Sequence, residues 1–184
     1  MSKALLVIDV QESFRHTPYW REDEVDTYLA AQNRLIDGAR AAGIPVVRVF
    51  HVQHDGGPFS KDMNYVVPLA GSDPYCDLRV EKPAHSALVG TDLARRFRER
   101  GIDSLIVSGI RTEQCCETTT RHASDLGFQV EYVTEATLTF PMRHANGRVY
   151  APAEIRERTE LVLAGRFATI CTVDDVLSRL SVPA

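Results

Sequence analysis

Lysine is scarce in this sequence. Of its 21 basic residues only Lys3, Lys61 and Lys82 are lysine, so surface charge rests almost wholly on arginine and each lysine stands out. No apolar run approaches the ~18 residues a membrane span needs, which excludes a bilayer-crossing chain. There is no excess of positive charge either. A formal net charge of −4 over 184 residues argues against a nucleic-acid or anionic-membrane binder, which needs a basic face. The four cysteines, Cys76, Cys115, Cys116 and Cys171, contain no CxxC spacing, so they read as reduced thiols of a cytoplasmic protein. No GxGxxG follows a strand and no GxxxxGK[ST] loop occurs, which removes the usual signals of a nucleotide-binding module. Low-complexity tracts and linkers are also missing, so residues 1–184 are expected to form one domain. The opening residues enter an apolar run directly, without a signal-peptide layout, and export is not expected.

A pattern recurs where these signals are absent. A helix-like stretch, a glycine and a β-branched apolar run appear as ARAAG-IPVVRVF, FRERG-IDSLIVSG, ASDLG-FQVEYVT and LVLAG-RFATICT. Gly43, Gly101, Gly127 and Gly165 sit where helices end in left-handed caps. The runs after them are apolar on both faces, as strands buried between two helix layers are. With the opening run Ala4–Ile8 they predict a doubly wound, Rossmann-like α/β fold: a mostly parallel sheet with helices on both faces. Periodicity predicts helices over about Asp23–Ala42 and from Pro152 to about Ala164. A third, capped by Thr91, turns Leu93, Ala94 and Phe97 inward and its arginines outward. Two irregular stretches, Gln53–Asp77 and Thr137–Tyr150, are long enough to cover a site.

In an open parallel sheet ligands bind beyond the carboxyl ends of the strands. Asp9 ends the first run and is expected to be half-buried. It reads either as a base or as a carboxylate accepting backbone hydrogen bonds. Cys115 falls near the first turn of a helix, where free N–H groups stabilise a thiolate and later an oxyanion. Its neighbour Cys116 reads as a packed core residue, as do Cys76 and Cys171. Lys82, just before Pro83, can supply a compact ammonium to Asp9 and Cys115, or be an ordinary surface lysine.

Taken together these positions resemble the isochorismatase-like cysteine hydrolases, the superfamily of nicotinamidases and carbamoyl-amide hydrolases. ALLVIDVQESF is similar to the family's opening strand, EKPAHSAL to its lysine segment, and GIRTEQCCETTTRHASDLGFQV to its cysteine signature. The resemblance implies a catalytic Asp9, Lys82 and Cys115, a cis peptide between Ile110 and Arg111, and an oxyanion hole from the amides of Arg111 and Cys115. It implies hydrolysis of a small non-peptide amide or related C–N bond through a thioester. Asp9 would take the thiol proton, return it to the leaving amine, and activate the water that cleaves the thioester. Glu113 stands where the family has Asp, and Arg111 where a small residue is common; Arg111 can hold an anionic group or face a subunit interface. Substrate contacts are expected from Gln11, Phe14, Tyr19, Trp20, Phe140 and His144, with Phe59 and Tyr75 as further pocket candidates. His51, His54, Asp55 and His85 do not keep the metal spacing of the nicotinamidase branch, so no metal and no cofactor is expected. A homo-oligomer, dimer or tetramer, is the family's habit. The readings from other classes are a catalytically silent binding protein and a metal-dependent nicotinamidase-type enzyme.

Overall fold

The computed structural model describes residues 2–180. Its sheet is built from β1 (Ser2–Ile8), β2 (Val46–His51), β3 (Leu78–Lys82), β4 (Ile102–Ile110), β5 (Gln129–Leu138) and β8 (Thr169–Cys171). The order is β3-β2-β1-β4-β5-β8 and every pairing is parallel. The chain winds outward from β1 to β3, returns to the centre at β4, and winds outward the other way. The reversal between β1 and β4 leaves a crevice at their carboxyl ends, the place such folds bind ligands. A two-stranded antiparallel hairpin, β6 (Met142–Arg143) with β7 (Val149–Tyr150), lies apart from the sheet.

Alternation along β1 divides the core. Leu5 and Val7 pack with Leu35 and Ile36 of α1 (Val25–Ala41) and Val176 of α5 (Val173–Leu180). Ala4, Leu6 and Ile8 face Phe97 of α2 (Leu93–Glu99), Ala123 of α3 (Glu117–Asp125) and Leu163 of α4 (Pro152–Leu163). Each such fully buried aliphatic side chain is worth about 1.5–3 kcal/mol. In α1 the buried face also carries Gln32, whose amide donates to Ser108 Oγ (3.1 Å) in β4, tying the helix to the central strand.

The four helix-ending glycines all take positive φ. Gly109 has a different constraint. It lies opposite Ile8 in the β1–β4 ladder, and a Cβ there would stand 2.0 Å from the Ile8 carbonyl oxygen. Glycine thus lets the two central strands close just below the crevice.

Two helix ends differ from expectation. Thr91 does not cap α2: its hydroxyl donates to the Ala87 carbonyl (2.7 Å), and the helix starts two residues later behind Asp92. Helix α5 was not anticipated. Its start is of capping-box form, with Thr172 N–H donating to Asp175 (2.9 Å) and Asp175 N–H to Thr172 Oγ1 (3.0 Å). The long segment from Gln53 to Asp77 contains one short turn, Lys61–Met63, and folds back over the residues following β1. Glu12 and Ser13 donate to the carbonyls of Val67 and Tyr65 (both 3.0 Å), and Leu69 donates to that of Val10 (3.1 Å). No helix among the described residues is long and apolar enough to cross a membrane.

Candidate active site

Asp9 follows β1 in a left-handed backbone conformation, φ 53°, which short polar side chains tolerate best. Its N–H donates to the Val49 carbonyl (2.7 Å) and its own carbonyl accepts from Gln11 (2.9 Å). This turn rotates the carboxylate off the strand and into the crevice. The residue is completely buried, not half-buried, because the segment after β1 and the end of β3 close over it.

Lys82 is the last residue of β3 and equally buried. Its ammonium stands 2.8 Å from Asp9 Oδ2 and donates to the Ala84 carbonyl (2.9 Å) and to Cys115 Sγ (3.4 Å). Burial alone would lower its pKa, but the charge of Asp9 holds it above the ordinary lysine value. Cys115 sits in a π-helical turn, Thr112–Cys116, that leads into α3. That turn is anchored by Tyr132 OH donating to the Thr112 carbonyl and by Thr112 Oγ1 donating to Thr137 Oγ1, both 2.8 Å. The peptide before it, Ile110–Arg111, is cis. Cys116 is fully buried among the side chains of the α2–α4 face.

The thiol of Cys115 does not rest as a thiolate. Burial, and next the charge of the Asp9 carboxylate, push its pKa far up, and Lys82 only partly opposes them. The dipole argument from the helix end is outweighed here by desolvation. The carboxyl ends of β1, β3 and β4 therefore bring together a carboxylate, an ammonium and a neutral thiol, the ammonium in contact with both of the others.

Two histidines join this group. His51, at the end of β2, has Nδ1 3.3 Å from Lys82 Nζ; burial, then the ammonium, keep its pKa low and the ring neutral. His85 has Nδ1 3.8 Å from Cys115 Sγ and a ring nearly parallel to that of His51 at 6.1 Å. The sequence offered His85 only as a metal candidate; the signal for its actual place is its position three residues beyond Lys82. A metal does not fit here. A dication beside His51 would meet the Lys82 ammonium, His54 and Asp55 lie exposed, and no metal-holding cluster exists among the described residues.

The aromatic candidates assemble unevenly. Phe14, Tyr19 and Trp20 gather on Phe140, and Phe59 meets both Phe14 and His51. The buried Arg111 lies over the rings of Tyr19 and Phe140 and pairs with Glu113 (2.8 Å), which accepts a hydrogen bond from Thr139 (2.6 Å). Burial raises the Tyr19 pKa, so its hydroxyl stays neutral. Gln11 is buried and structural in its contacts, donating to Ser13 and the His51 carbonyl and accepting from His51 N–H. Two candidates have contacts of their own. His144 is exposed on the β6–β7 hairpin, where it lines a cavity of about 660 Å³ with Tyr150, Leu161 and Glu113, the partner of Arg111. Tyr75 stacks under Arg40 and donates to Asp77 (2.9 Å).

Known proteins share both the sequence and the architecture. The isochorismatase domain matches residues 3–175. Nicotinamidase 3 of Arabidopsis thaliana is 31% identical over 192 residues, covering 96% of this chain and 88% of that protein. A streptothricin hydrolase of Streptomyces noursei is 30% identical over 150 residues, 79% of this chain and 58% of that one. A crystal structure of a candidate isochorismatase from Burkholderia xenovorans LB400 superposes with a TM-score of 0.88 at 35% identity, covering 97% of this chain and 86% of that chain. With the match running over nearly the whole length, and the parallel sheet in common, this chain belongs to the isochorismatase family of hydrolases.

Proposed function

We propose that this protein hydrolyses a small non-peptide amide or related C–N bond through a thioester on Cys115. The observation that carries the reading is the convergence of Asp9, Lys82 and Cys115, at 2.8 Å and 3.4 Å about one buried ammonium, beyond the carboxyl ends of the central strands. Similarity to a nicotinamidase and to a streptothricin hydrolase supports hydrolysis of a small molecule.

The resting thiol is a poor nucleophile, since burial keeps it protonated. The ammonium that Asp9 and Cys115 share defines the first step. As the sulfur attacks the substrate carbonyl, Asp9 accepts the thiol proton. The negative charge moves from carboxylate to sulfur and then to the carbonyl oxygen. Lys82 contacts both starting groups, so its ammonium compensates the charge on either side of the transfer. The oxyanion is received by the backbone N–H groups of Arg111 and Cys115, each such donor being worth about 2.7–4 kcal/mol. Asp9 then protonates the departing nitrogen, leaving an acyl group on Cys115. The aromatic wall of Tyr19, Trp20 and Phe140 takes the non-reacting part of the substrate.

The test is release of ammonia or amine from a panel of small amides, ureido and carbamoyl compounds, comparing the wild type with Cys115→Ala. Release that disappears in the variant is the expected result. Turnover that persists in Cys115→Ala, or silence over the whole panel with a Cys115 inert to alkylation, would refute the reading.

A further inference from the structure

The second half of a thioester reaction needs a proton acceptor beside the attacking water. Asp9 lies on the buried side of Cys115 Sγ, with no solvent exposure and with Lys82 against it. The water that cleaves the acyl group must arrive from the other side. His85 is exposed to solvent, with Nδ1 3.8 Å from the sulfur. The acyl carbon is one bond from Sγ, so a water approaching it passes within hydrogen-bond reach of this imidazole.

The position of His85 is fixed from both sides. Just before it, the Ala84 carbonyl accepts a hydrogen bond from the same Lys82 ammonium that touches Asp9 and Cys115. Just after it, Ser86 Oγ lies 2.9 Å from His122 Nδ1 and Ala87 N–H donates to Thr119 Oγ1 (2.9 Å), both on α3. The loop is therefore pinned to the lysine and to the helix that follows the cysteine, while the imidazole between the two anchors stays open to solvent. The nearest titratable groups are Cys115 on one side and the ring of His51 on the other, with Lys82 and Asp9 behind them.

We propose that His85 is the catalytic base of deacylation, a role that rests on the thioester reading above and takes this step from Asp9. In the tautomer protonated at Nε2, Nδ1 accepts a proton from the water as its oxygen attacks the acyl carbon. The tetrahedral intermediate collapses by breaking the C–S bond. The departing sulfur recovers the proton from the imidazolium, so the acid is released and the resting thiol and neutral imidazole return. No other reactant enters.

The probe is p-nitrophenyl acetate, whose leaving group needs no protonation, so acylation and deacylation separate in one trace. For His85→Ala the expected result is an undiminished burst of one equivalent of p-nitrophenolate, then a steady phase slower by about 10²-fold. Intact-mass analysis should show one acetyl group on the enzyme, and added imidazole should recover part of the steady rate. His85→Gln, which keeps the bulk of the side chain, should behave in the same way without rescue. A wild-type steady rate in His85→Ala, or a burst and a steady phase that slow by the same factor, would overturn the assignment. Release of p-nitrophenolate at the wild-type rate in Cys115→Ala would instead overturn the thioester reading and this role with it.

Discussion

Replacing Lys82 by methionine tests whether the site is held together by one buried ion pair. The side chains of Lys82 and Asp9 are 0% and 1% exposed and 2.8 Å apart, so each charge relies on the other in place of water. Removing one partner of such a pair typically costs about 3–5 kcal/mol, because the remaining charge is stranded. Total stability of a domain is commonly about 5–15 kcal/mol, so Lys82→Met should consume a large part of it. Asp9→Asn should be costly as well, since it strands the ammonium, while asparagine still tolerates the φ of 53° and leaves the backbone alone. The double variant strands nothing. It should be less destabilised than the sum of the two by about 2–3 kcal/mol. Urea unfolding measures this directly: with a slope near ~2 kcal/mol/M, Lys82→Met should shift the midpoint down by about 2 M at unchanged slope. A shift corresponding to less than about 1 kcal/mol, or strict additivity in the double variant, would show that the pair is not what the geometry says.

Other perturbations separate chemistry from packing. Cys115→Ala should abolish turnover, whereas Cys116→Ala should keep it and lose about 1 kcal/mol, read as roughly 2–4 °C in a thermal melt. Burial first, and for Cys115 then Asp9, raise the pKa of Cys115 and Cys116 above the ordinary thiol value of 9.0. In each case the folded chain keeps a proton that the unfolded chain loses, so that stability is intact below pH 9 and falls above it. The slope should reach about 1.4 kcal/mol per pH unit for each thiol, and chemical denaturation of Cys115→Ala between pH 8 and about 10.5 should be shallower by that amount. Lys82 adds to the fall only above its ordinary value of 10.5, because its folded pKa is also raised. Gly109→Ala should destabilise by more than about 3 kcal/mol and lose activity with it, because its Cβ would meet the Ile8 carbonyl oxygen at 2.0 Å; a melt like that of the wild type would refute this.

Much of the frame was legible because its signals are local. An apolar run followed by a polar residue, and a glycine between helix and strand, located β1, β2, β4, β5 and β8 and put Asp9 at a strand end. The family signature placed Cys115 and Lys82 in one group. What escaped was decided by contacts distant in sequence. The burial of Asp9 depends on β3 and on the loop from Gln53 to Asp77, neither of which is visible from the run that precedes it. His144 reads as a wall of the pocket because it lies in the irregular stretch after β5; in the structure it stands on the hairpin that follows Phe140, in a cavity it shares with Glu113. Helix α5 carried a readable start in Thr172 and Asp175, a local signal passed over beside the stronger strand before it.

The protonation of Cys115 is the most instructive of these differences, because it changes what the remaining residues must do. A stabilised thiolate would need no base, and Asp9 would be only a counter-charge. A thiol kept neutral by burial needs a base, and the buried carboxylate that shares the Lys82 ammonium with it is the base of the proposed acylation. That carboxylate is an adequate base only if the charge it gives up stays compensated, which requires an ammonium touching both groups. Lys82 is therefore the residue on which the inner half of the site depends, and its bond to the Ala84 carbonyl extends the same constraint outward to the loop bearing His85. Buried acid, shared ammonium, thiol and exposed imidazole form one sequence of contacts from the core to solvent. On the proposed mechanism the sulfur gives up its proton to the buried acid during acylation, and water is deprotonated at the exposed imidazole during deacylation.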